Sequence, residues 1–135
     1  MHTPLVIGNW KMNPGSLTAS IRLFKDIQKL LARTRNTEIV VAPPSVFLSE
    51  IGKLAQGKRI TLGAQDVSWK ELGAHTGDVS FSLLHSVGVT YCIVGHSERR
   101  ADGEKDEDIH KKVIATIKAG GTAVLCVGET KRDVG

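Results

Sequence analysis

The sequence predicts an α/β fold of about five parallel strands and four helices in a single domain over residues 1–135, and three observations point to it. Five short runs are β-rich and apolar almost throughout, the pattern of strands covered on both faces. The stretches between them place apolar residues at helical spacing, and turn residues mark the joins. Strands that alternate with helices in this way build a parallel sheet, either closed as a barrel or doubly wound.

Leu5 to Trp10 forms the first strand, Pro14-Gly15 turns the chain, and Leu17, Ile21, Phe24 and Leu31 mark the apolar stripe of the first helix. Glu38 to Ala42 is the second strand, after which Pro43-Pro44-Ser45 opens the second helix, since proline suits a first helical turn. Ile60 to Ala64 is the third strand. Gln65 to Asp78 shows no periodicity and carries Trp69, Gly73, His75, Thr76 and Gly77. Long loops inside compact domains are commonly functional, the alternative being a solvated surface excursion. Tyr91 to Val94 is the fourth strand and leads into a polar segment able to start a short helix. Ile109, Val113 and Ile117 mark the last helix, Gly120-Gly121 ends it, and Thr122 to Val127 is the fifth strand. The strands recur at the spacing of βα units, and no linker or low-complexity segment divides the chain.

With 41% hydrophobic residues the chain can bury a core, which argues against disorder. Its longest apolar runs are strand-sized, far short of the roughly 20 residues that span a bilayer. Met1-His2-Thr3-Pro4 leads into the first strand without a basic region, an apolar signal core or a cleavage site, so a soluble cytoplasmic protein with no membrane partner is expected. Cys92 and Cys126 lie in separate apolar runs outside any metal or redox spacing and read as buried reduced thiols. The net charge of +4 is spread over bases interleaved with acids, so no nucleic-acid partner is expected.

Two polar clusters could carry chemistry. In Gly8-Asn9-Trp10-Lys11-Met12-Asn13, Asn9 and Lys11 stand two apart and share one face of the first strand's end, while Trp10 takes the other. That face then ends in an amide and a cation; alternatively Lys11 reaches solvent and Asn9 caps the turn. In Val94-Gly95-His96-Ser97-Glu98-Arg99-Arg100, His96 leaves the fourth strand just before a short helix, whose N-terminus disfavours an imidazolium. A neutral imidazole can donate a hydrogen bond to a carbonyl oxygen that gains charge in a transition state. A lone histidine is more often a satisfied structural residue, but two polar clusters at the C-terminal ends of parallel strands favour a site.

These segments, with Ala42-Pro43-Pro44, Leu62-Gly63-Ala64-Gln65-Asp66, Gly73-Ala74-His75-Thr76-Gly77-Asp78 and Val124-Leu125-Cys126-Val127-Gly128-Glu129-Thr130, resemble triosephosphate isomerase in order and spacing. The resemblance spans essentially the whole chain and implies half of a (β/α)8 TIM barrel. It implies interconversion of dihydroxyacetone phosphate and glyceraldehyde 3-phosphate, in glycolysis and gluconeogenesis, with no cofactor and no metal. Lys11 would face the substrate's anion and enediolate, Asn9 would bind substrate beside it, and His96 would be the neutral electrophile. In this family the imidazole is held neutral, so that it polarises the substrate carbonyl as a hydrogen-bond donor. Glu98 would support the lysine side, Ser97 would be a polar neighbour, and Thr76 would be the subunit contact at the tip of the long loop.

Three departures stand against the family pattern: His75 in place of an aromatic residue, Asp78 in place of glutamate, and Arg100-Ala101-Asp102-Gly103 one residue short. A larger one is an absence, because the family's catalytic glutamate follows the sixth strand and the sequence runs only to Gly135, with Glu104 and Glu129 matching other positions. The chain alone is therefore expected to be inactive. Its partners would be a complementing C-terminal half or further copies of itself in a homo-oligomer, with a stand-alone sugar-phosphate binder of doubly wound topology as a third reading. Open strand edges, and inward residues such as Ile7 and Val94, are expected to drive the self-association.

Overall fold

Continuous apolar runs of four to six residues have the length and β-branched content of fully covered strands, and each becomes one. A computed structural model describes residues 3–31, 34 and 36–128. Its strands are β1 (Leu5–Asn9), β2 (Glu38–Ala42), β3 (Ile60–Ala64), β4 (Val89–Val94) and β5 (Thr122–Leu125), paired in parallel in the order β1-β2-β3-β4-β5. The helices are α1 (Leu17–Leu31), α2 (Leu48–Ala55), α3 (Phe81–Ser86), α4 (Ser97–Ala101) and α5 (Asp106–Lys118), with a single 3-10 turn at Ser45–Phe47. The described residues thus hold five α-helices rather than four, the added one being α3, which no reading between the long loop and the fourth strand foresaw, while the short helix expected after His96 is α4. β4 starts two residues earlier than its apolar run suggested, because Gly88 takes φ +94° and turns the chain into Val89. Among the described residues no helix is long and apolar enough to cross a membrane.

Strand alternation gives the sheet two unlike faces. Val41, Leu62, Ala64, Cys92 and Val94 pack with Phe24, Leu48, Ile51, Phe81, Leu84 and Ile109 into the core on the helix side. The opposite, concave face is identified at Gly63, where a Cβ would meet Val40 Cγ1 at 3.0 Å, the Ala42 Cβ at 3.5 Å and the Tyr91 Cβ at 3.6 Å. Across this face Tyr91 Oη donates to Glu38 Oε1 at 2.6 Å, bridging β2 and β4 over β3. That bond, with burial, raises the Tyr91 phenol above its ordinary pKa.

Three expectations are corrected here. Val94 is not an inward residue awaiting cover: it lies on the helix side, fully buried against the main core. Ile7 is half-buried beside its buried register partner Val40, and within the strands the exposed apolar side chains stand at the sheet's edges: Leu5 (45%) and Val6 (53%) on β1 and Leu125 (48%) on β5. The helical stripes also turn. In α5 the buried positions are Ile109, Lys112 and Thr116 while Ile117 is exposed, and in α1 they are Ser20 and Phe24 while Leu17 is exposed. Lys112 can be buried because carboxylates meet it, which hydrophobic spacing cannot reveal. Cys92 is buried and its thiol is pushed up to about 12, by loss of solvent first and by Asp66 second; Cys126 is only half-buried.

Candidate active site

β1 sends Trp10 towards the helix-side core and leaves Asn9 and Lys11 on the other side. Asn9 Oδ1 accepts the backbone N–H of Lys11 at 2.9 Å, so Asn9 does cap the turn, leaving its NH2 donors and a second Oδ1 lone pair for a ligand. Lys11 takes φ 54°, a left-handed conformation that is uncommon outside glycine and persists where its surroundings impose it. Gln65, the residue after β3, is one such surrounding. Its Nε2 donates to the carbonyls of Lys11 and Ala42, each at 2.8 Å, locking the exits of β1 and β2 together.

From this turn the Lys11 ammonium reaches Glu98 Oε1 at 2.6 Å. Both side chains are more than half exposed, so the pair adds little stability and acts by placing the ammonium. The hydrogen bond from Lys11 is the main cause holding the Glu98 carboxyl below its ordinary pKa, with the Lys11 charge adding to it against partial desolvation. Because the folded pKa is the lower one, the pair's contribution is complete above the unfolded value and is lost as pH falls through the folded value. In a carboxyl NMR titration Glu98 is expected to titrate below an unfolded-chain glutamate, and Lys11→Met to move it back up. An unmoved midpoint in Lys11→Met contradicts the pairing.

His96 follows Gly95 and caps α4, its Nδ1 accepting the backbone N–H of Glu98 at 3.2 Å. A ring nitrogen that accepts such a bond holds a lone pair, so the imidazole is neutral here and its proton sits on Nε2. The 3.5 Å approach of Glu98 Oε2 to the same Nδ1 is consequently not an ion pair. Glu98 is the joint of the site: its carboxylate holds Lys11 and its amide holds His96, across 87 residues of sequence between Lys11 and Glu98. Ser97 begins α4 and is exposed.

Thr76 stands exposed in the Gln65–Asp78 loop and joins none of these contacts among the described residues. The loop closes at its base, where the Ser68 amide donates to the Val79 carbonyl at 2.9 Å and the Ser68 hydroxyl to Asp78 Oδ2 at 3.0 Å. That hydroxyl bond is the first cause lowering the Asp78 carboxyl pKa. Asp78 therefore has a role at this position as the acceptor that closes the loop.

Sequence reasoning assigned no role to Gln65 or to a charge cluster built around the buried Lys112. In that cluster Lys112 Nζ meets Asp66 Oδ1 at 2.6 Å and also Glu104, while Asp66 Oδ2 meets Arg99 at 2.8 Å. The signal for Lys112 was its place between Ile109 and Thr116 on one helical face; the partners come from loops and carry no local signature.

A parallel βα sheet bent into half a barrel, with an amide, an ammonium and an imidazole gathered at the C-terminal ends of its strands, has the architecture of the (β/α)8-barrel class, whose ligands bind at that end. Residues 4–134 match the triosephosphate isomerase family, and the chain belongs to it. It is 43% identical over 133 residues to the triosephosphate isomerase of Thermoanaerobacter pseudethanolicus, covering 96% of this chain and 52% of that one. It is 44% identical over 136 residues to that of Paracidovorax citrulli, covering 97% and 54%. The crystal structure of triosephosphate isomerase from Bartonella henselae superposes with a TM-score of 0.81 at 34% identity, covering 95% of this chain and 52% of that one. The chain thus spans about half the length of the curated relatives it matches.

Proposed function

We propose that residues 1–135 supply the Asn9, Lys11 and His96 side of a site interconverting dihydroxyacetone phosphate and glyceraldehyde 3-phosphate, in the cytoplasm, as a step of glycolysis and gluconeogenesis. The observation that carries this reading is the double contact of Glu98, which fixes an ammonium and a neutral imidazole beside each other at two strand ends. Lys11 faces the substrate's anionic group and the enediolate. His96 directs Nε2–H at the carbonyl oxygen, stabilising the negative charge that grows there when a proton leaves the adjacent carbon. Asn9 offers its NH2 to the same region; Ser97 and Glu98 support it. The reaction moves hydrogens between neighbouring carbons without net oxidation, so proton transfer and charge stabilisation suffice and no cofactor or metal is proposed.

The proposed base lies outside the described residues. Glu98 is engaged with Lys11 and Glu104 is buried against Lys112, while Glu129 lies outside the described residues. In the family the base follows the sixth strand, so the proposed catalytic partner is a C-terminal half. The polypeptide of residues 1–135 is expected to show no turnover of glyceraldehyde 3-phosphate by itself, because general-base catalysis contributes about 100- to 10,000-fold. The assay compares the chain with and without a supplied C-terminal half of a relative. Turnover by the chain alone, surviving repurification and lost in His96→Ala, contradicts the reading.

The open edges favour a second reading, in which the same polypeptide self-associates as a non-catalytic half-barrel. β1 and β5 each end the sheet and expose Leu5, Val6 and Leu125. Unpaired parallel edges with apolar side chains invite another chain, and Thr76 on its exposed loop would brace the other subunit. Sedimentation at micromolar concentration is expected to show an oligomer; a compact monomer that melts cooperatively contradicts it.

A further inference from the structure

We infer that Arg100 is a positioning residue for His96, an inference that rests on the isomerase reading above. Its guanidinium donates from Nε to the Gly95 carbonyl at 2.7 Å, from Nη2 to the Cys126 carbonyl at 3.3 Å and from Nη1 to Asp106 Oδ1 at 2.5 Å. The backbone amide of Arg100 donates to the His96 carbonyl at 3.0 Å. Arg100 therefore holds the peptide units on both sides of His96, one with its side chain and one with its main chain. The Cys126 contact extends the hold to the exit of β5, beside the bond from the Cys126 amide to the Val94 carbonyl at 2.9 Å.

Gly95 is fitted to this arrangement. It takes φ +69°, and a Cβ there would stand 3.0 Å from Arg100 Nη2 and 3.0 Å from Ile109 Cδ1. Glycine supplies the left-handed turn out of β4 and also the room for the guanidinium. With both flanking peptides fixed, the only remaining freedom of His96 is its side-chain rotation, and the Glu98 amide on Nδ1 removes that. The direction of Nε2–H is thus set by Arg100 and Glu98 together. Lysine is no substitute, because a point charge on a flexible stem cannot reproduce a planar fork spanning two carbonyls and a carboxylate.

The test is imidazole 15N spectroscopy of the 135-residue chain, with the His96 signals assigned by their loss in His96→Gln. The wild-type chain is expected to show an unprotonated, hydrogen-bonded Nδ1 and a protonated Nε2. Arg100→Lys is expected to raise the minor tautomer several-fold, whereas Asp106→Asn, which leaves both carbonyl bonds, is expected to leave the spectrum as it is. In an active two-half assembly Arg100→Lys should lower kcat about 10- to 100-fold at nearly unchanged KM, the scale of a misplaced catalytic group. An unchanged His96 spectrum in folded Arg100→Lys overturns the inference. If that variant does not fold, scalar coupling across the hydrogen bond from Arg100 Nε to the Gly95 carbonyl decides on the wild-type chain: its detection supports the inference and its absence overturns it. The spectra require no turnover, so failure of the isomerase reading would show separately, as an inactive wild-type assembly.

Discussion

His96→Ala, placed in an active assembly of the chain with a complementing half, is expected to lower kcat by about 100- to 1000-fold, the usual cost of deleting one preorganised donor at a developing oxyanion. The ring's only proton is on Nε2 because Nδ1 is occupied by the Glu98 amide, so alanine removes the single donor the imidazole presents. Lys11→Ala is expected to match it and to raise KM as well, since an ammonium beside an anionic substrate binds ground state and transition state alike. Lys118→Ala, an exposed change on α5, should leave both constants alone. Steady-state kinetics of the three assemblies, each repurified, makes the comparison. A near-normal rate for His96→Ala removes His96 from the electrophile role.

Lys112→Met is expected to produce the largest loss of stability, about 3 to 5 kcal/mol, because removing one partner of a buried ion pair leaves the other charge uncompensated. Lys112 is 4% exposed and answers both Asp66 and Glu104, the latter also carrying a buried Oε2 with no hydrogen-bond partner among the described residues. Methionine keeps the volume and removes the ammonium, which separates charge from packing. A domain stable by about 5 to 15 kcal/mol would lose a large part of that. Urea unfolding followed by circular dichroism measures it, with Glu104→Gln as a milder variant. Lys112→Met within about 1 kcal/mol of the wild type contradicts the account, since ordinary surface changes fall in that range.

The strands and their succession along the chain were legible because a covered parallel strand is apolar at nearly every position, whereas their order in the sheet was not, since the same pattern suits a barrel and a doubly wound sheet. The strand-end residues were legible for a related reason, since Asn9 and His96 interrupt apolar runs where a parallel sheet presents its ligand side. Periodicity was a poorer guide to which face of a helix is buried. Ile117 fits the apolar stripe of α5 yet is exposed, while Lys112 is buried, because Asp66 and Glu104 arrive from loops whose positions depend on the whole fold. Val94 shows the same limit in a strand. Alternation says that neighbours face opposite ways but not which way is in, and only burial in the same core cluster as Ile109 and Phe81 assigns Val94 to the helix side.

By itself, then, the sequence determined the parallel βα order and the identity of Asn9, Lys11 and His96 as strand-end groups, since both depend on local chemistry and on spacing within one element. Tertiary structure decided how those groups act on one another. The Glu98 joint spans 87 residues, the Gln65 lock ties two other strands, and the Arg100 fork gathers carbonyls from β4 and β5 exits. Such contacts are made between atoms distant along the chain and fixed in place only once the sheet has formed, so no local pattern encodes them.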